Sequence, residues 1–271
     1  MIASKAVVLT LLVFGAGCSK TPVTGRTQYN LIPDALIRPI GANAYTEMLS
    51  DAKVEKGTTD AKRLKKVGKR IAKVAGERSY RWRFSLIDER TINAWCLPGG
   101  KIAFYRGILP VLKNEAGMAF VTGHEVGHAV AHHGAERMTQ QLTVIGGLAA
   151  LYMYLDDRTR LSDNQKGMMI AALGLGAEVG ILLPFSRRHE KEADIIGMMY
   201  MARAGYPPEE SIEVWSRMKR IAGSGSAPAF LSTHPASRKR KVNLRSWMRN
   251  AKKRYQRNKR DENTLRTLWR R

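Results

Sequence analysis

The sequence predicts an α+β fold that is predominantly α-helical, with one small β-sheet. Apolar residues recur at helical spacing through residues 35–76, 114–138 and 186–205. One stretch, residues 80–106, alternates instead like half-buried strands. The apolar fraction, 44%, is that of a chain with a packed core and too high for a disordered one.

The chain starts MIASKAVVLTLLVFGAGCSK. Lys5 precedes an apolar run from Ala6 to Phe14, and small residues follow up to Cys18. This reads as an export signal over residues 1–17, with an apolar run too short to span a bilayer, which needs about 20 residues. The small residues before Cys18 are similar to the bacterial lipoprotein processing site. That similarity implies cleavage after Gly17 and acylation of Cys18, although Gly15 stands where the pattern usually has leucine. By the sorting rule of such lipoproteins, Ser19 favours the outer membrane. Residues 18–50 then read as a tether rich in turn formers followed by a first helix.

Residues 35–76 carry apolar positions at helical spacing, with Leu64, Val67, Ile71 and Val74 on one face and lysines around the rest. YRWRFSLID (80–88) reads as a strand. Pro98-Gly99-Gly100 reads as a turn, and Lys101–Tyr105 as a second strand. Asn114 is the expected N-cap of a helix running to about Met138, with Glu115 in its first turn. Two apolar stretches, Leu142–Leu155 and Gly167–Phe185, are predicted as buried core helices rather than membrane spans. The first is short, and the second holds four glycines and Glu178. Methionines 168, 169, 198, 199 and 201 are expected to fill the core of these helices. SRRHEKEADIIGMMYMARAG is a further helix, closed by Gly205 and Pro207; residues 223–235 read as a flexible loop. Residues 238–271 form a basic tail, with fifteen Lys or Arg against two acids.

The net charge of +23 points to an anionic neighbour. The two cysteines, Cys18 and Cys96, exclude a disulfide scaffold. Cys96 lies in a strand pattern without a base nearby in sequence, so it reads as a packed thiol rather than a nucleophile.

Four of the six histidines fall within VTGHEVGHAVAHHG (121–134). HEVGH fits the H-E-x-x-H pattern. On a helix, His124 and His128 share one face and can reach one ion, with Glu125 beside them to take a proton. His132 is eight residues from His124, about 12 Å along a helix axis, too far for one ion. His132 and His133 therefore read as surface or packing residues. A catalytic zinc takes three protein ligands, so a third must come from elsewhere. HEKEAD (189–194) offers Glu190 and Asp194 at i and i+4; one carboxylate can bind the metal while the other holds a ligating imidazole. Glu178 is a weaker candidate, and Glu192 faces away from Glu190.

PVTGR (22–26), NAWCLPGGKIAFYRG (93–107), GHEVGHAVAHHGAER (123–137), LLPFSRRHEKEADIIG (182–197) and THPASRKR (233–240) occur in this order. Together they resemble the M48 family of zinc metallopeptidases, in its bacterial lipoprotein, Oma1-like and HtpX-like branch. The resemblance implies a zincin domain of the gluzincin type over residues 51–237, its small sheet edging the cleft. It implies one catalytic zinc on His124, His128 and Glu190, with Glu125 as general base and Asp194 behind His124. His234 falls in the family's His-Pro segment and Arg240 at the matching arginine. In some members that segment lies over the cleft, which adds His234 to the residues serving the reaction. The strand Lys101–Tyr105 would be the edge that takes an extended substrate.

These readings predict a zinc-dependent endopeptidase. Water activated between zinc and Glu125 would cleave unfolded or misassembled cell-envelope proteins bound as an added strand. The expected location is the cell envelope, lipid-anchored to the outer membrane and facing the periplasm. Membrane contact would come through acylated Cys18 and the basic tail. The alternative is a zinc-bearing chaperone or scaffold lipoprotein with little proteolytic activity. Trp247 and Tyr255 within the tail could stack on bases, yet an exported chain meets little nucleic acid, and none is expected as a partner.

Overall fold

The computed structural model describes residues 18–159, 161–178, 182–225, 228–235 and 238–268. The leader expected over residues 1–17 and the acylation expected on Cys18 lie outside what is described. The described chain is predominantly helical with two small sheets, an α+β arrangement.

In place of the expected tether, β1 (Cys18–Lys20) and β2 (Thr27–Tyr29) pair as an antiparallel hairpin. Its turn is closed by the Thr21 N–H donating to the Arg26 carbonyl at 2.9 Å, with Gly25 at φ 67. The helical stretch over 35–76 is two helices, α1 (Asp34–Ser50) and α2 (Thr59–Ala75). Thr58 caps α2 by accepting from the Ala61 N–H, and Gly76, left-handed at φ 74, ends it. Leu64, Val67 and Ile71 are fully buried, and the basic residues between them are mostly exposed.

The main sheet has three strands: β3 (Arg83–Ile87), β4 (Ala94–Leu97) and β5 (Lys101–Tyr105), in the order β3-β5-β4. β5 runs parallel to β3, Phe84 opposite Ile102, and antiparallel to β4, Cys96 opposite Ile102. This corrects one expectation. Lys101–Tyr105 is the central strand, paired on both sides, and cannot be the edge that receives a substrate. The turn at Pro98-Gly99-Gly100, both glycines at positive φ, folds Ala94–Leu97 back along the outer side of β5. Among the described residues β4 is an edge with no further strand on it, whereas β3 is touched by a bridge from Val54 to Ile87.

A 3-10 turn (Arg106–Ile108) and a short helix, α3 (Leu109–Leu112), lead to α4 (Glu115–Val130). Asn114 caps α4, its side chain accepting from the Gly117 N–H at 2.9 Å. Almost every residue of α4 is buried, because α2, α7, α8 and the sheet surround it. The helix does not run to Met138. It stops at Val130, His132 turns left-handed at φ 50 and ψ 34, and a new helix, α5 (His133–Arg158), begins.

α5 and α6 (Asp163–Ala177) form a helical hairpin, with Ser162 and Gln165 making a capping box. The expectation that these stretches are core helices is overturned over Leu142–Leu155 and Gly167–Leu175; residues 179–181 of the second stretch lie outside the described residues. Leu142, Ile145, Met153, Tyr154, Met168, Leu173 and Leu175 are exposed, Leu175 to 72% and Met153 to 70%. The two helices pack on one another and leave most of their apolar surface uncovered. Met168 and Met169 share this exposure, while Met198, Met199 and Met201 are core residues as expected. Among the described residues no helix is long and apolar enough to cross a membrane.

α7 (Leu183–Arg203) lies against α4, followed by α8 (Glu210–Ala222), α9 (Ala229–Thr233) and α10 (Arg238–Leu268). Where a flexible loop was expected, α9 buries Phe230, whose N–H donates to the Ile92 carbonyl at 2.9 Å. The basic tail is helical and does not separate from the domain at residue 238. Arg240, Leu244 and Ala251 of α10 are buried against α7 and α8.

Candidate metal centre

Glycine sets the distance between α4 and α7. A Cβ on Gly123 would lie 2.8 Å from the Gly197 carbonyl oxygen, and one on Gly197 would lie 2.6 Å from the His124 nitrogen. Gly127 faces Ala193 one turn further on. The two backbones touch, so the side chains flanking this crossing meet: His124 and His128 from α4, Glu190 from α7.

The ligating atoms converge. His124 Nε2 and His128 Nε2 are 3.1 Å apart. Glu190 brings Oε1 to 3.3 Å from His128 Nε2 and Oε2 to 3.4 Å from His124 Nε2. His234, at the end of α9, joins them: its Nδ1 lies 3.2 Å from His124 Nε2 and 3.1 Å from each Glu190 oxygen. The four ligating atoms all lie within 4.8 Å of one another. Imidazole nitrogens that face each other at this range repel through their lone pairs unless a cation or proton lies between them. Three imidazoles and one carboxylate are the donor chemistry of zinc, and the arrangement fits that ion.

Glu125 is buried next to the cluster. Its Oε1 has no hydrogen bond and stands 3.5 Å from His234 Nε2, and burial raises its pKa. Asp194 Oδ1 is 3.1 Å from His124 Nδ1, which leaves Nε2 of that ring for a metal. Arg240 grips Asp194 through Nε at 2.6 Å and Nη2 at 2.7 Å, and donates from Nη1 to Glu190 at 2.8 Å. Its guanidinium lies 3.7 Å over the Trp215 ring, whose Nε1 also donates to Asp194. Burial alone would raise the carboxyls of Asp194 and Glu190. Arg240 with His124 holds the first below the usual range, and the three histidines hold the second well below it. Burial would lower His124, yet Asp194 and Glu190 raise it to about 9.

The structure therefore brings His124, Glu125, His128, Glu190, Asp194 and His234 into one buried site. Glu178, the weaker candidate, is exposed and outside the cluster. His132 stands apart, its Nδ1 3.2 Å from Asp34.

His133 is not a surface residue. It is fully buried, with Nδ1 3.0 Å from His128 Nδ1 and Nε2 3.1 Å from Glu192. Burial lowers its pKa to about 4, so it stands neutral. Glu192 does face away from Glu190, but into this second buried network. Helical periodicity carried through His132 hid the contact, and only the left-handed residue reveals it.

A family model for peptidase family M48 matches residues 58–248. The mitochondrial metalloendopeptidase OMA1 of Schizosaccharomyces pombe is 35% identical over 233 residues, covering 84% of this chain and 65% of that protein. The protein of the same name from Arabidopsis thaliana is 36% identical over 159 residues, 59% of this chain and 30% of its own length. The beta-barrel assembly-enhancing protease of Escherichia coli K12 is 26% identical over 186 residues, 66% of this chain and 37% of that protein. The chain thus spans less than two thirds of the length of these curated relatives.

Proposed function

The chain belongs to peptidase family M48, and on that premise we propose that it is a zinc-dependent endopeptidase acting on unfolded or misassembled cell-envelope proteins. One observation carries the reading: His124, His128 and Glu190, from two helices, converge with a buried carboxylate, Glu125, at their side. Bound there, zinc supplies Lewis acidity, polarising a peptide carbonyl and making water a stronger acid. The chain's own groups do the rest. Glu125 Oε1, free of hydrogen bonds, accepts the proton of the attacking water and returns it to the leaving amine. Its burial raises its basicity towards that task. Asp194, fixed by Arg240 and Trp215, keeps the His124 proton on Nδ1.

An extended substrate would add to β4, the edge whose Cys96 and Leu97 line a small cavity with His128. Main-chain pairing of that kind reads little of the substrate's sequence, which suits unfolded chains. Relatives named for β-barrel assembly in Escherichia coli and for mitochondria support a membrane setting. The apolar α5–α6 hairpin and the net charge of +23 support it too. We place the chain in the envelope, lipid-anchored through Cys18 at the outer membrane and facing the periplasm.

His234 stands between the residues that would hold zinc and Glu125, its Nδ1 3.2 Å from His124 and its Nε2 3.5 Å from Glu125. In this arrangement a substrate carbonyl has no place, so the state is latent, and substrate entry requires the segment around His234 to withdraw. The same closure favours a second reading, a zinc-bearing scaffold that does not cut. Casein digestion by the wild type and by Glu125→Gln, each with and without a chelator, separates the two. The first reading requires chelator-sensitive cleavage that falls at least 10²-fold in the variant with zinc retained; equal activity in the two proteins refutes it.

A further inference from the structure

We propose that His133 is a positioning residue for the metal ligand His128, and that the N-terminal segment Thr21–Arg26 holds it in place through Glu192. The inference rests on the metal centre read above and concerns how this chain builds it.

The contacts form one line. His128 Nδ1 meets His133 Nδ1 at 3.0 Å with the rings nearly perpendicular, at 78°. His133 Nε2 meets Glu192 Oε2 at 3.1 Å. Glu192 in turn accepts from the Thr21 hydroxyl at 2.6 Å, from the Thr24 hydroxyl, and from Arg26 Nε at 2.7 Å. Arg26 spends its other two nitrogens on Glu136, at 2.8 and 2.7 Å. His189 Nε2 reaches Glu136 at 3.0 Å, and its ring stacks on His133 at 4.3 Å.

Holding a metal through His128 Nε2 fixes proton placement along this line, because the hydrogen of that ring must then sit on Nδ1. A carboxylate only accepts, so His133 must carry its hydrogen on Nε2. With that hydrogen on Nε2, His133 Nδ1 is the atom left to accept from His128. His128 must fill that contact with its own Nδ1–H, which frees His128 Nε2 to face the cluster. The His124 ring reaches the same state by direct contact with Asp194. On the His128 side an imidazole is interposed, and the carboxylate behind it is fastened by the turn of the β1–β2 hairpin. That turn, PVTGR with Thr21, lies outside the residues that match the family model, 58–248. A segment at the start of the described chain thus completes a site whose residues lie a hundred to two hundred positions later.

The test uses the full chain and zinc alone as probe. Zinc affinity is measured by competition with a chromophoric chelator, and the thermal midpoint of the metal-free protein is read beside it. Visible absorption of the cobalt-loaded protein reports ligand geometry. His133→Phe should weaken zinc binding 10- to 100-fold, the usual cost of removing an outer partner of a ligating imidazole, and should alter the cobalt spectrum. Arg26→Gln should weaken it several-fold, and Arg26→Lys should recover part of the loss. A role in folding alone would lower the metal-free midpoint and leave affinity and spectrum unchanged. That result, or zinc affinity within twofold of wild type in folded His133→Phe, overturns the proposal. If His133→Phe does not fold, Arg26→Gln decides by the same criterion. Failure of the underlying reading is separable: wild type would then bind no stoichiometric zinc, or bind it as well after His124→Ala.

Discussion

Gly197→Ala tests whether backbone contact between α4 and α7 builds the metal centre. The new Cβ would lie 2.6 Å from the His124 nitrogen, 2.9 Å from the Gly123 carbonyl carbon and 3.0 Å from the His124 Cα. All three are backbone atoms, so no side chain can swing away. Comfortable contact needs about 3.5 Å, and the helices must part by roughly 0.5–1 Å. Overpacking of this kind costs ~1–3 kcal/mol, and each kcal/mol moves the midpoint of a domain of this size by roughly 2–4 °C. The second effect is larger in consequence. Glu190 is seven residues from Gly197, about two helical turns, and lies on nearly the same face. Any parting of the helices therefore draws its carboxylate away from His124 and His128. Metal–ligand distances tolerate only about 0.2 Å, and a displacement near 1 Å can cost about 10²-fold in rate. Gly197→Ala should thus melt a few degrees lower and lose zinc affinity and peptidase activity together. Gly146→Ala is the control: nothing lies within 4 Å of its Cβ on exposed α5, and helix propensity should raise stability by ~0.5–1 kcal/mol. Thermal melts with and without zinc, with chelator competition, read both. A Gly197→Ala protein with wild-type midpoint and wild-type zinc affinity would refute the reasoning.

His234→Ala should raise turnover of an unfolded substrate with zinc retained, since it empties the space beside Glu125; lowered turnover would make His234 a participant in the reaction instead. For Glu136, burial favours the protonated form, but His189 and Arg26 prevail and hold its pKa down to about 2 against 4.5 when unfolded. The folded state then binds fewer protons, so the contribution is present above pH 4.5 and fades as pH falls towards 2. Urea midpoints against pH should accordingly fall less steeply for Glu136→Gln across that window, and parallel curves would count against the network. Replacing Ile145, Met153, Met168 and Leu175 with serine should weaken flotation with lipid vesicles more than tenfold, at ~1.5 kcal/mol or more for each apolar side chain buried. High salt isolates this effect by screening the basic residues; unchanged flotation would show that the hairpin does not touch lipid.

The metal centre was legible where spacing along one helix decides it. His124 and His128 at i and i+4, and Glu190 and Asp194 at the same interval, need only helical geometry to share a face. The Asn114 cap was legible for a similar reason, because it rests on contacts within four residues. What depended on distant packing was not. The order β3-β5-β4 follows from where the Pro98 turn folds the chain, and local alternation carries no such information. The α5–α6 stretches read as core because apolar pattern tells what prefers to leave water, not what will cover it. In α10 the stripe Leu244, Trp247, Met248, Ala251 and Tyr255 recurs at helical spacing and packs on the core, but the surrounding charge concealed it. Arg26 stood out only as the last residue of PVTGR, and nothing local told what it holds, since its partners stand 110 and 166 positions away.

The left-handed turn at His132 has a consequence for how fragile this centre is. In an uninterrupted helix, residue 133 would stand about 140° round the axis from residue 128 and ~7.5 Å along it, beyond reach of the ligand's ring. One pair of backbone torsions, φ 50 and ψ 34, cancels that separation. A chain that straightened there would gain a longer, smoother rod and lose the brace behind one of its metal-holding rings.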